Sequence, residues 1–199
     1  MAVDFDLGPA ADRMAGLLEA VPRDRLTAPT PCARYALGDL IEHVGGLSLA
    51  FTAAATKAAP APGAPQGPSG NAAALGDDWR TRIPVQLAAL ADAWRDPAAW
   101  EGTTRAGGVE LPAAVAARVT LNELIVHGWD IARASGQPFD CGEPELRACL
   151  EFVSQFAPGP GGRPAPEGLF APAVDVPADA PLLDRVVGLT GRDPAWTAA

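Results

Sequence analysis

Apolar residues recur along this chain at helical spacing and almost nowhere at the alternating spacing of a strand. Between residues 3 and 21, Val3, Leu7, Met14, Leu17, Leu18 and Val21 fall near one helical face, with Pro9 in an early turn and Pro22 as a stop. Leu37, Leu40, Ile41, Val44, Leu47 and Phe51 form an i, i+3, i+4, i+7 stripe that predicts a second helix from about Leu37 to Lys57. Asp39 suits its first turn, whereas Ala36 is a poor N-cap. A third helix over about 76–94 carries Trp79, Ile83, Leu87, Leu90, Ala91 and Trp94 on one side, and Pro84 is expected to kink it. The fourth is bounded by Pro112 near N1 and Gly136 at C′. Its Val115, Val119, Leu121, Ile125, Val126, Trp129 and Ile131 spread over more than half the circumference, the mark of a largely buried helix. A fifth helix is expected over 144–156 and a short one near 182–189.

The breakers set the organisation. Pro29 and Pro31 keep 27–35 irregular, residues 60–70 read as a flexible low-complexity loop, and 157–181 as a long Pro/Gly-rich tail. Residues 97–110 are turn-rich, with room for a short strand pair. Gly45 and Gly46 each cost roughly 1 kcal/mol against alanine inside a helix, so their absent side chains should permit close helix approach or leave room beside His43. The predicted class is all-α: one domain over 1–199, an antiparallel four-helix bundle with an extra C-terminal helix, and 157–199 as a C-terminal wrap.

Charge and cysteine usage narrow the function. The formal net charge is −9 and the pI about 4.6; Lys57 is the only lysine and the arginines are scattered. No concentrated basic patch exists, which excludes a nucleic acid as the main partner. No apolar run approaches the roughly 18 to 20 residues of a membrane span, and the acidic start lacks a basic n-region, so a cytoplasmic location and no membrane partner are expected. Cys32, Cys141 and Cys149 are odd in number and lack CxxC spacing, so they read as reduced thiols, Cys149 in the core and Cys32 in a loop where a nucleophilic role is conceivable.

The chemistry concentrates at the two histidines, His43 and His127. Glu123 and His127 are four residues apart, hence on one helical face and roughly 6 Å apart along the axis. His43 would join from another helix. Two histidines and a carboxylate with one position open form a catalytic rather than a structural pattern for zinc or a similar ion. The same residues also fit an ordinary i, i+4 pair and a hydrogen-bonded core histidine. The apolar setting Ile125-Val126-His127-Gly128-Trp129 adds weight to the metal reading, because a buried histidine needs a partner, and so does Glu123. Asp130 could hydrogen-bond a ligand histidine and fix its tautomer, and it is also the nearest candidate for a general base; the competing reading is an Asp130–Arg133 surface pair. Trp129 reads as core, and Arg34 and Tyr35 as bordering the site mouth.

Several segments together resemble the DinB-like metal-binding bundles, in the actinobacterial branch related to the N-terminal metal-binding domain of mycothiol-dependent maleylpyruvate isomerase. They are Thr30-Pro31-Cys32, Leu37-Gly38-Asp39-Leu40-Ile41-Glu42-His43, residues 122–138 from Asn122 to Pro138, and the tail from Pro181 to Pro194. The resemblance implies a four-helix bundle with one divalent ion held by His43, Glu123 and His127, zinc first and nickel as an alternative. It further implies a metal-dependent enzyme of thiol transfer or isomerisation, with mycothiol as cosubstrate and a small-molecule substrate. A non-catalytic metal-binding structural or sensor protein is the alternative. A homodimer is the assembly that analogy of fold suggests. Two family features differ: Tyr35 stands where the branch usually has Trp, and Ala36 where it has a hydroxyl cap. The isomerase also carries an additional C-terminal domain that residues 157–199 are too few to supply, so its own reaction is not implied.

Overall fold

In the computed structural model, which describes residues 4–58, 69–156 and 169–198, the apolar stripes become six helices. These are α1 (Gly8–Ala20), α2 (Leu37–Thr56), α3 (Trp79–Trp94), α4 (Ala113–Ser135), α5 (Glu143–Ser154) and α6 (Leu182–Leu189). A two-stranded antiparallel hairpin, β1 (Thr103–Ala106) and β2 (Val109–Pro112), precedes α4. The chain is an all-α bundle with this one small sheet among the described residues. No helix there is long and apolar enough to cross a membrane.

Helices α1 and α2 each pack against both α3 and α4, so the four close a ring in the order α1, α3, α2, α4. Leu18, Leu37, Ile41, Trp79, Ile83, Leu90, Trp94 and Leu121 fill its centre, each almost completely removed from solvent. Buried indole groups are satisfied locally: Trp94 Nε1 donates to the Phe51 carbonyl at 3.1 Å, and Trp100 Nε1 to the Trp94 carbonyl at 2.8 Å. Helix α5 lies on α4, and α6 on α5, with Val186 joining the main core.

Three boundaries differ from the sequence reading. Helix α1 starts at Gly8, not at residue 3; Val3 lies outside the described residues. Leu111 and Pro112 end β2 instead of opening α4. The cause is the Gly107-Gly108 turn, where φ is +57° and +80°, the left-handed backbone of a tight two-residue hairpin loop. That turn draws Leu111 and Pro112 into register with Thr104 and Thr103, and the helix begins one residue later. Helix α3 begins at Trp79 and runs uninterrupted through Pro84.

The predicted loop over 60–70 and the start of the predicted tail fall largely on 59–68 and 157–168, which lie outside the described residues. Ser69 and Gly70 are described, and they are held against α2. The Asn71 amide donates to Glu42 Oε2 at 3.0 Å and the Ala72 amide to Asp39 Oδ1 at 2.7 Å. A Cβ on Gly70 would lie 2.6 Å from the Asp39 carbonyl oxygen, so only glycine allows this approach.

The Gly45-Gly46 pair separates into two roles. A Cβ at Gly45 would stand 3.3 Å from Ile83 of α3, whereas one at Gly46 would meet nothing within 4 Å. Gly45 is therefore the close-approach residue. Gly45→Val is expected to destabilise by about 1–3 kcal/mol through overpacking, and Gly46→Ala to stabilise by up to about 1 kcal/mol. Equilibrium urea unfolding of the two variants measures both signs; equal effects would contradict this assignment.

Candidate metal centre

Glu123 and His127 stand one turn apart on buried α4, facing α2. The i, i+4 spacing places His127 Nε2 3.0 Å from Glu123 Oε2. His43, in the second turn of α2, brings its Nε2 to 3.7 Å from the same carboxylate oxygen. The side chains of His43, Glu123 and His127 are 5 %, 14 % and 7 % exposed. One donor atom from each lies within 4.8 Å of the others, so the three residues proposed from spacing are brought together. Two donors about 2.0–2.1 Å from a tetrahedral zinc are about 3.3 Å apart, a separation that the two observed distances bracket.

The rings are oriented from behind. His43 Nδ1 donates to the Ser69 carbonyl at 2.7 Å, and His127 Nδ1 donates to Asp130 Oδ2 at 2.9 Å. With both Nδ1 atoms engaged, each Nε2 is turned toward Glu123, the arrangement by which proteins present imidazole to a metal. Tyr35 packs against the His43 ring at a centroid distance of 5.0 Å, and His43 meets His127 edge-on at 5.1 Å. Arg34 lies over Tyr35 at 5.8 Å.

Asp130 is fully buried and has a second partner, Arg192, whose Nη2 donates to Oδ2 at 3.0 Å and Nε to Oδ1 at 3.3 Å. This decides between the two sequence readings of Asp130. It orients the His127 ring, and Arg133 instead donates to the Trp196 carbonyl. Both Asp130 oxygens are occupied behind the ring, which suits an orienting group rather than a general base. Cys32 is buried, with Sγ within 4.8 Å of donor atoms of His127 and Asp130. That second cluster is a poorer metal site, because Asp130 is already committed to His127 Nδ1 and Arg192. Cys149 is buried in the core as expected, and burial raises its thiol pKa; burial and Glu145 push Cys141 to about 12. Trp129 is buried, beneath Arg133.

Sequence reasoning missed the Ser69 carbonyl and Arg192. A backbone carbonyl leaves no mark in a sequence, and the arginine lies 62 residues from its partner.

A family model described as the mycothiol maleylpyruvate isomerase N-terminal domain matches residues 7–132. The chain belongs to this family. Two uncharacterized proteins of Mycobacterium tuberculosis, from strains CDC 1551 / Oshkosh and H37Rv, are each 30 % identical over 184 residues, covering 92 % of this chain and 93 % of theirs. The crystal structure of the mycothiol-dependent maleylpyruvate isomerase is similar with a TM-score of 0.56 at 19 % identity, over 74 % of this chain and 66 % of that one. A histidine-to-alanine mutant of the isomerase gives 0.54 at 19 % identity, over 75 % and 69 %. At this identity the likeness is one of fold, and this family member spans about two-thirds of the solved isomerase chain. The matched family segment contains His43, Glu123, His127 and Asp130; Arg192 lies beyond it.

Protonation follows from the same contacts. For metal-free His127, burial lowers the pKa, but Glu123 and Asp130 outweigh it and raise the value to about 9. For Glu123, burial raises the pKa, but the charge and hydrogen bonds of His127 and His43 outweigh it and hold the group well below the usual carboxylate range. The raised histidine stabilises the metal-free fold fully below its unfolded pKa of about 6.5, and this is lost as pH rises through about 9. The depressed carboxylate contributes stability above its unfolded value, throughout that window, and loses it only in acid. A metal taken up at His127 Nε2 would have to displace the proton there. The melting temperature of chelator-treated protein is therefore expected to fall from pH 6.5 to 9, while apparent metal affinity rises by up to about tenfold per pH unit. Thermal denaturation and metal titration over this range check both signs.

Proposed function

We propose that this protein is a divalent-metal protein in which His43, Glu123 and His127 hold one ion, zinc foremost and nickel as the alternative, for thiol-dependent transfer or isomerisation. The observation that carries this reading is the convergence of His43 Nε2 and His127 Nε2 on a single Glu123 oxygen, with both opposite ring nitrogens already engaged. Three protein ligands leave a position for a small molecule, unlike closed four-ligand structural sites.

An ion bound there would lower the pKa of a coordinated thiol and hold it as the thiolate. The chain's own residues do the rest. His43 and His127 are pinned by Ser69 and Asp130, so the donors need no reorganisation on binding. Tyr35 covers one ring, and the apolar walls of α2 and α4 exclude water. Mycothiol is the proposed thiol on the strength of family membership, with a small electrophile as the other substrate. Maleylpyruvate isomerisation itself is not part of the proposal, because the chain corresponds to 66 % of the solved isomerase.

A structural or sensing role without catalysis is favoured by one observation, the enclosure of the three donors. The two readings separate cleanly. Elemental analysis of purified protein is expected to give one zinc or nickel per chain, lost in His43→Ala, Glu123→Gln and His127→Ala. Calorimetry of metal-loaded protein with mycothiol or a simple thiol is expected to show binding that disappears in the same variants. Metal without thiol binding or turnover would leave the structural role standing; unchanged metal content in all three variants would overturn the ligand assignment.

A further inference from the structure

We infer that Arg192, from the C-terminal tail, is a positioning residue of this centre: it fixes the Asp130 carboxylate, which in turn fixes the His127 ring with Nε2 toward Glu123 and His43. The inference rests on the metal-binding reading above, and its test separates the two.

The contacts form one continuous chain. Arg192 Nη2 and His127 Nδ1 both donate to Asp130 Oδ2, at 3.0 and 2.9 Å. The second arginine contact, Nε to Oδ1 at 3.3 Å, makes the grip two-pronged, so the carboxylate plane is set as well as its position. Because Asp130 is fully buried and Arg192 is 7 % exposed, little solvent is available to replace either partner. A carboxylate held this way keeps its charge toward Nδ1–H and leaves Nε2 as the ring's metal donor.

The backbone is shaped to deliver the guanidinium. Helix α6 ends at Leu189 with Thr190 as its C-cap, and the Arg192 amide folds back to donate to the Val187 carbonyl at 2.9 Å. Between them Gly191 has φ +85°, and a Cβ there would lie 2.5 Å from Ala171 Cβ; a left-handed turn in so narrow a space admits only glycine. Arg192 Nη1 donates to the Thr190 carbonyl at 2.8 Å, which braces the guanidinium from its outer side. A second tether, Arg133 Nε to the Trp196 carbonyl at 3.0 Å, fastens the following residues to α4. The tail is thus tied to the helix carrying Glu123 and His127 at two points, one of which leads directly into the candidate ligand set.

The test uses the full chain with Arg192→Met, Arg192→Lys and Asp130→Asn, each checked for helicity by circular dichroism. Zinc affinity is read by competition with a chromophoric chelator. Arg192→Met and Asp130→Asn are expected to weaken zinc binding by about 10- to 100-fold, and Arg192→Lys, which restores the charge but not the two-pronged grip, by less. Adding Arg192→Lys to Asp130→Asn is expected to weaken binding less than twofold further, because both act through one path. A folded Arg192→Met with wild-type zinc affinity would overturn the inference, even with a lowered melting temperature. Should Arg192→Met not fold, the Lys and Asn variants decide: wild-type affinity in either, or fully multiplicative losses in the double variant, overturns it.

Failure of zinc to bind the wild-type chain would sink the metal reading alone. The positioning inference is then read in metal-free protein, where the His127 Nδ1 proton is expected as a slowly exchanging downfield resonance, assignable because the chain has two histidines. That resonance should exchange faster in the Arg192 and Asp130 variants, and an unchanged resonance in all of them overturns the inference.

Discussion

Glu123 carries a carboxylate into the packed end of the bundle, where solvent contributes little to its charge. That charge must be met by the protein, and the two imidazoles meet it: His127 from one turn along α4 and His43 from α2. The requirement fixes how α2 and α4 face each other, because the second turn of one must stand level with Glu123 on the other. Gly45, two residues beyond His43, lets Ile83 of α3 approach α2 closely in the same region. The core and the polar centre therefore share one solution for helix spacing.

The two histidines are steadied by different means. His43 leans on a backbone carbonyl in the segment returning to α2, and that segment is itself held by Glu42 and Asp39 of the same helix. His127 leans on a carboxylate whose countercharge comes from beyond α6. One ring thus depends on neighbouring backbone, the other on the far end of the chain. A neutral carbonyl and an ionised carboxylate also differ in how strongly they polarise the ring, so the two nitrogens facing Glu123 are not chemically equivalent.

Much of this was legible in advance, because a helix writes its buried face into the sequence every three to four residues. The four long helices, the short α6 and the Glu123–His127 pair follow from local spacing, whereas His43 joins from another helix and family resemblance implies the same trio. The failures have physical causes. Pro112 suits a helix start, but the Gly107-Gly108 turn claims it for a strand, and a tight hairpin fixes its register more firmly than a proline fixes a helix end. Asp130 could be narrowed to two partners on its own helix, yet its actual cation is separated by 62 residues of chain. Ser69 acts through its carbonyl oxygen, which every residue possesses.

The distance along the chain between Asp130 and Arg192 also imposes an order in time. Synthesis proceeds from the N-terminus at about 5–20 residues per second, so about 3–12 s separate the emergence of the two residues. During that interval the carboxylate behind His127 lacks its guanidinium. The support behind His127 can therefore be completed only after the tail has been made, well after the helix that carries the histidine.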